Sequence, residues 1–534
     1  MNAALVLPVA LPIGAAGLSL AIGPRLALRR LVSLLTVAVT LAVSVAVLAQ
    51  VRTAGAVAVA IGDRAAPLGI TLVADRTSAL LLLVSQAVIA CVLVYATGQG
   101  DTDGDGRGAV AVFHPAYLVL CAGVSLAFLA GDLFDLYVAI EVLLAASYVL
   151  LTLGGTAERV RAGMTYVVVS LVSSVVLLTA IGLVYGATGS VTMADLGERL
   201  AGLPAGLRNA LQLTLLVAFG VKAAVFPLAA WLPDSYPTAP APVTAVFAGL
   251  LTKVGVYAVL RTETLLFSGS QLPTLLLVVS VLSMVVGILG ALAQDDLRRL
   301  LSFTLVSHIG FMTFGIAVGG VAGLAGTLLY MVNHITVQTA LFLVSGLVEL
   351  RTGTLSLARL GGLARVAPGL GLLYLVPALS LAGIPPLAGF LAKLGLLQAG
   401  IAAGRGGTAV AAVAVLTSLL TLWVVARAWS QVFWGDAGRW AVEPRDERRA
   451  AEPRDRRWSA GRAARPRAVG ADVLPAAPGP RPAVMLGATA ALVAVLLAVT
   501  VVAGPLAGYC DRAAADLAGN AAYRAAVALA GSPS

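Results

Sequence analysis

The sequence predicts an all-α polytopic membrane protein of about fourteen transmembrane helices, and three observations carry that expectation. The 534 residues are 60% hydrophobic and only 11% charged, with a mean hydropathy of +0.98, whereas soluble chains carry roughly 25% charged residues. Apolar stretches of about 18 residues or more recur along nearly the whole length, each enough to cross a hydrocarbon core about 30 Å thick. The arginines gather mostly in the loops between those stretches, so the positive-inside rule explains the net charge of +10 without a nucleic-acid partner.

Taken in order, spans are expected near residues 3–23, 31–51, 78–97, 112–130, 134–153, 164–186 and 209–231. The second set follows near 241–262, 273–293, 300–320, 323–349, 370–402, 408–430 and 483–504. The first stretch lacks a basic leader, and its positive charges (Arg25, Arg29, Arg30) follow the apolar run, so it reads as a spanning helix with its N-terminus outside. Loops after odd-numbered spans then face the cytoplasm. They hold Arg29 and Arg30, Arg159 and Arg161, Arg298 and Arg299, and Arg351, Arg359 and Arg365, with the largest cluster between Arg439 and Arg467. Both termini are therefore expected outside.

Four regions follow: N-terminal helices over 1–110, a translocating core over 111–430, a polar insertion over 435–482, and a last span with its tail over 483–534. The insertion is rich in Arg, Pro, Ala and Asp with no apolar period, which predicts a disordered basic cytoplasmic loop, read first as a solvated linker and alternatively as a contact for anionic lipid headgroups. Cys91, Cys121 and Cys510 are too scattered for a disulfide framework, a metal site or an iron–sulfur site. No cofactor fingerprint is present, so none is expected.

Two spans are interrupted at mid-membrane depth. The seventh contains Pro227 and ends at Pro233; the twelfth contains Pro385 and Pro386, followed by Gly389. Proline removes a backbone donor, and lipid tolerates the gap only where protein or a wet cavity satisfies the freed groups. Paired broken helices in two halves of a chain point to inverted repeats around an ion site.

The chain has 35 Lys and Arg together, and only three are lysine: Lys222, Lys253 and Lys393. All three lie inside apolar segments. Arginine stays charged, whereas a desolvated lysine can release its proton. Glu141 sits mid-span in the fifth segment, His308 and His334 in the tenth and eleventh, and His114 at the mouth of the fourth. Ionisable groups at such depth face a polar cavity with a partner. A carboxylate about 4 Å from an ammonium returns roughly 4 kcal/mol at an effective dielectric near 20, so making or breaking a Glu–Lys contact switches a lysine between holding and releasing a proton. The plainer alternative is a set of static salt bridges that fix helix packing.

Several stretches resemble the D subunit of the Mrp-type multisubunit sodium/proton antiporters. They are residues 225–261 (VFPLAAWLPDSYPTAPAPVTAVFAGLLTKVGVYAVLR), 131–150 (GDLFDLYVAIEVLLAASYVL), 185–196 (YGATGSVTMADL), 67–82 (PLGITLVADRTSALLL) and 299–315 (RLLSFTLVSHIGFMTFG). The likeness spans roughly residues 60–430 and extends to the antiporter-like subunits of NADH:quinone oxidoreductase. It implies fourteen helices with two inverted five-helix repeats, over spans 4–8 and 9–13. It implies a relay of Glu141, Lys222, Lys253, His308 and Lys393, with His334, Gln338 and Asp75 secondary. Gln338 departs from the family, which commonly carries a titratable lysine there.

The implied function is proton translocation within a monovalent cation (sodium)/proton antiporter of the bacterial cell membrane, a secondary transporter subunit rather than an enzyme. The implied partners are the other subunits of that complex, the bilayer, protons and sodium or another monovalent cation. Two further readings remain open: a proton-pumping subunit of a redox-driven complex, and a non-conducting scaffold.

Overall fold

A computed structural model describes residues 2–23, 25–61, 69–100, 107–269, 272–435 and 480–530. Residues 436–479 of the expected basic loop, and the end of the expected tail, lie outside the described residues. After a short 3-10 turn come α1 (Leu7–Ala21) and α2 (Leu26–Ala54), then an antiparallel hairpin of β1 (Ala56–Ile61) and β2 (Ile70–Asp75). The helices α3 (Arg76–Gln99), α4 (Arg107–Leu129), α5 (Leu133–Leu151) and α6 (Ala157–Thr188) lead to the short α7 (Met193–Ala201).

The seventh span is α8 (Ala205–Ala223) and, after a break, α9 (Trp231–Ser235). The eighth is α10 (Ala241–Val246), a π turn (Phe247–Leu251) and α11 (Thr252–Arg261). Then come α12 (Pro273–Leu292), α13 (Leu297–Val318), α14 (Gly320–Thr352), the one-turn α15 (Leu363–Val366), and the broken pair α16 (Pro368–Ala382) and α17 (Ala388–Ala402). The chain closes with α18 (Arg405–Trp429), α19 (Pro482–Val501), α20 (Ala503–Gly519) and α21 (Ala521–Ala530).

Twelve unbroken segments among the described residues are long and apolar enough to cross a membrane. The two broken spans, α8–α9 and α16–α17, complete the expected fourteen. Two features were not expected from the sequence: the β-hairpin, and the two helices after the last span. At about 1.5 Å per residue, the 33 residues of α14 reach about 50 Å, longer than the hydrocarbon core. Residues 323–348 of this helix and the α10–α11 span are buried and form the middle of the bundle, while α6 turns Met164, Val168 and Val175 outward to lipid.

The two halves are built alike. Asp132 caps α5 and forms a β-bridge to Thr192, and Asp296 caps α13 and forms a β-bridge to Ser356. The helix before each bridge partner ends in a Thr-Gly turn, at Thr188-Gly189 and Thr352-Gly353, with the glycine left-handed. Adding 164 to the numbers of the first set gives the second. Five spans separate Asp132 from Asp296, an odd number, so the two copies sit on opposite membrane faces. The repeats are inverted.

Both breaks use one geometry. Ala224 and Gly383 close α8 and α16 in the left-handed conformation, and Pro227 and Pro386 follow three residues later. A proline there withholds the N–H that would have closed the next helical turn, leaving the carbonyls of Ala223 and Ala382 without their helical donors. At Gly383 only glycine fits, because φ is +86° and an added Cβ would lie 2.9 Å from Lys393 Cδ.

The eighth span locks against the first break through Gly255, where an added Cβ would lie 2.4 Å from Ala223 N. Gly255→Ala must therefore push α11 away from the Lys222 backbone. The expected cost is about 1–3 kcal/mol, seen as a lower melting temperature of the purified complex and a slower exchange rate.

Candidate functional site

In the first half, α8 carries Lys222 in its last turn, where it points into the bundle beside α6. Its Nζ donates to Ser170 O at 3.0 Å and to Ser174 Oγ at 3.0 Å. The Ser174 hydroxyl in turn donates to Glu141 Oε1. Glu141 and Lys222 are thus joined through one hydroxyl rather than as a direct ion pair. A cavity of about 20 Å³ adjoins Lys222, lined also by Tyr166, Ser170, Trp231 and Tyr236, a volume with room for a single water.

Trp231 and Tyr236 flank Pro233 and Asp234, which line a wide vestibule of about 910 Å³ open to one membrane face. The rings of Tyr166 and Trp231 lie 5.4 Å apart, and those of Tyr236 and Phe247 lie 5.6 Å apart. This aromatic cluster stands between vestibule and lysine. The vestibule is rimmed by charge of both signs, including the ion pairs Arg299–Asp234 at 2.9 Å and Arg298–Glu349 at 2.5 Å.

Lys253 is completely buried at the junction of the π turn with α11. Its Nζ donates to Ala248 O at 2.7 Å and, weakly, to Thr252 Oγ1 at 3.4 Å. A π turn widens the helical ladder and offers carbonyls to a side chain, a device frequent at functional sites. Among the described residues no carboxylate lies within ion-pairing distance of this amine. Lys253 and Lys393 both lie within Coulombic range of His308 and His334, so the four helices α11, α13, α14 and α17 bring the second-half groups together.

There His308 Nδ1 contacts Tyr330 Oη, and the His308 and His334 rings are 5.5 Å apart. Lys393 Nζ lies 4.7 Å from the centre of the Phe311 ring, on which the His308 ring stacks at 5.5 Å between centroids. The same Nζ donates to Ala382 O at 3.2 Å and to Ser418 Oγ at 3.1 Å. The carbonyl that Pro386 deprived of its helical donor is thus the one that receives the ammonium. Gln338 donates to Leu301 O at 2.7 Å, and Asn333 Oδ1 accepts from Ser380 Oγ at 2.8 Å.

Five polar atoms here are buried without a hydrogen-bond partner among the described residues: His308 Nε2, both His334 ring nitrogens, Asn333 Nδ2 and Gln338 Oε1. Buried polar groups are nearly always satisfied by protein or by ordered water. Such a cluster beside the Lys253 and Lys393 amines gives this half a polar interior rather than an inert core.

Two sequence candidates lie elsewhere. Asp75 caps α3 in a reciprocal bond with Ser78 and pairs with Arg261 at 2.7 Å. Arg261 also lies over the rings of Tyr257 and Tyr523, each 5.1 Å away. The structure therefore sets Asp75 in a buried lock joining α3, α11 and α21, apart from the relay groups. His114 is buried with Nδ1 3.1 Å from Ser33 Oγ, also apart from them.

The sequence reading missed Ser170, Ser174, Tyr330 and Ser418. The first two could have been found from Tyr166, Ser170 and Ser174, which repeat every four residues along the middle of a mostly apolar helix and so share a face.

This fold, with paired broken helices and buried lysines, is that of the antiporter-like membrane subunits. Residues 130–421 match the family described as NADH:quinone oxidoreductase/Mrp antiporter, TM, and the chain belongs to that family. Within it, the chain is 37% identical to the D subunit of the Na(+)/H(+) antiporter of Alkalihalophilus pseudofirmus, over 82% of this chain and 88% of that protein. A chain in the structure of the Mrp complex from Dietzia sp. DQ12-45-1b is 32% identical, with a TM-score of 0.86 over 99% of this chain and 100% of that one. A chain of respiratory complex I from Thermus thermophilus is 26% identical, with a TM-score of 0.75 over 97% and 99% of the two chains. These likenesses bear out the resemblance to the Mrp-type D subunit read from the sequence.

Proposed function

We propose that this chain is a proton-carrying membrane subunit of a Na+/H+ antiporter complex, working beside other antiporter subunits in the bacterial cell membrane. Protons move along Glu141, Lys222, Lys253, His308 and Lys393, with His334 between the middle groups. The observation that carries the reading is the Ser174 hydroxyl, which accepts from the Lys222 ammonium and donates to the Glu141 carboxylate. A hydroxyl in that position can pass a proton either way without a large movement. The arginines of the vestibule face (Arg159, Arg161, Arg298, Arg299) support a cytoplasmic placement of that face, with both termini outside. Exchange of more than one proton per sodium draws on the membrane potential, worth about 2.3 kcal/mol per charge per 100 mV.

The test is Na+-induced collapse of a proton gradient in everted vesicles that contain the whole complex. Lys393→Met keeps bulk and removes the amine; the exchange rate is expected to fall roughly 100-fold, the scale of losing a positioned proton-transfer group. Full activity in that variant would favour the scaffold reading. Proton movement that required an electron donor and ignored sodium would favour the redox-driven one.

A further inference from the structure

The relation between the two halves assigns a role to a residue outside the relay. Adding 164 to the numbers of Tyr166, Ser170 and Ser174 gives Tyr330, His334 and Gln338, the same shift that relates the β-bridges Asp132–Thr192 and Asp296–Ser356. Each trio is spaced by four residues and shares one helical face. On α6 that face serves Lys222: Ser170 and Ser174 receive its ammonium, and Tyr166 lines its cavity with its hydroxyl 2.8 Å from Ser147 Oγ. On α14 the same face meets His308.

We propose that Tyr330 is a positioning residue for His308, one that fixes which imidazole nitrogen handles the travelling proton. The contact between Tyr330 Oη and His308 Nδ1 occupies one ring nitrogen. The other, Nε2, is buried without a partner among the described residues. With Nδ1–H donating to the phenol oxygen, the Nε2 lone pair is open, since the tautomer follows the bond made by the opposite nitrogen.

A proton reaching the pocket bonds to Nε2 and forms the imidazolium, and the same N–H bond breaks when the proton moves on to neutral His334 or Lys393. The ring returns to its starting tautomer, and Tyr330 neither gains nor loses a hydrogen. Its ring is held for this by Phe311 at 5.7 Å and His334 at 5.9 Å between centroids. Gln338 stands at the position matching Ser174, donates its amide to Leu301 O, and has no titratable group. The second half therefore depends on an oriented histidine where the first uses a hydroxyl bridge.

This inference rests on the antiport reading above. Tyr330→Phe keeps the ring and removes the oxygen. In everted vesicles with the whole complex, the maximal exchange rate is expected to fall about tenfold, as for a lost hydrogen bond to a charged group. The KM for Na+ should stay constant, and the solvent deuterium isotope effect on exchange should rise, because proton hand-on becomes limiting. A merely structural tyrosine would leave the isotope effect unmoved. An unchanged rate and isotope effect would overturn the proposal. Should Tyr330→Phe fail to assemble, 3-fluorotyrosine at position 330 preserves the packing while weakening the oxygen as an acceptor, and the same slowing is required of it. Unmodified complex and Lys222→Ala run alongside. If the former exchanges and the latter does not, a normal Tyr330→Phe rejects the role of Tyr330 alone; if the unmodified complex shows no exchange, the antiport reading itself fails.

Discussion

Lys222→Ala is expected to lower Na+-driven proton exchange by roughly two orders of magnitude while the complex still assembles. The variant removes the donor that Ser174 and Ser170 O receive, and leaves Glu141 bonded to a hydroxyl with no cation behind it. Two hydrogen bonds in series put the Glu141 and Lys222 charges roughly 5–6 Å apart, an interaction of about 3 kcal/mol at an effective dielectric near 20. Each 1.36 kcal/mol is about tenfold in a rate, which sets the expected loss. Lys222→Arg is the sharper variant. It keeps the positive charge and most of the length but cannot give up a proton at physiological pH. The same collapse of exchange is expected, measured in everted vesicles and normalised to the amount of complex in the membrane. Exchange at the normal rate in Lys222→Arg would mean that charge alone matters at this site, and proton release from the amine would have to be abandoned.

The largest effect on stability is expected from Arg261→Ala. Arg261 and Asp75 are 2% and 4% exposed, and the guanidinium lies between the rings of Tyr257 and Tyr523. Removing one partner of a buried pair strands the other charge, at a cost of about 3–5 kcal/mol. The loss falls where α3, α11 and α21 meet, and it frees an arginine-bound cap on α3. Arg261→Ala should therefore reduce the complex recovered from membranes and lower its melting temperature by several degrees. Replacing both partners, as in Asp75→Asn with Arg261→Met, should recover most of that loss, because no uncompensated charge remains. Such a double variant separates a lock from a relay. Recovered assembly with normal exchange fits the lock, and recovered assembly without exchange would return Asp75 to the proton path.

Much of the architecture was legible in the sequence because hydropathy and proline chemistry are local. Twelve unbroken spans follow from runs of apolar residues, and the two broken ones from Pro227 and from the Pro385–Pro386 pair at mid-span, whereas Pro12, Pro115 and Pro377 stay inside continuous helices. The three lysines were legible for the same reason: an amine inside an apolar run is conspicuous whatever surrounds it. The β-hairpin was less so, since Ala56–Ile61 and Ile70–Asp75 are short apolar segments that gain strand character only by pairing with each other and covering the ends of α3 and α4.

Hydropathy and residue chemistry alone specify a bilayer-spanning bundle with two helix breaks and a few titratable groups at membrane depth. Only the tertiary structure decided which polar groups meet: Ser174 between Glu141 and Lys222, Tyr330 against His308, the freed Ala382 carbonyl on Lys393, and Arg261 on Asp75. A membrane helix is apolar on most of its surface, so a short polar face such as Tyr166, Ser170 and Ser174 shows at most which side turns inward and not which groups it meets. Serine and tyrosine are inexpensive enough in such helices to pass as packing, and their partners come from other helices far along the chain.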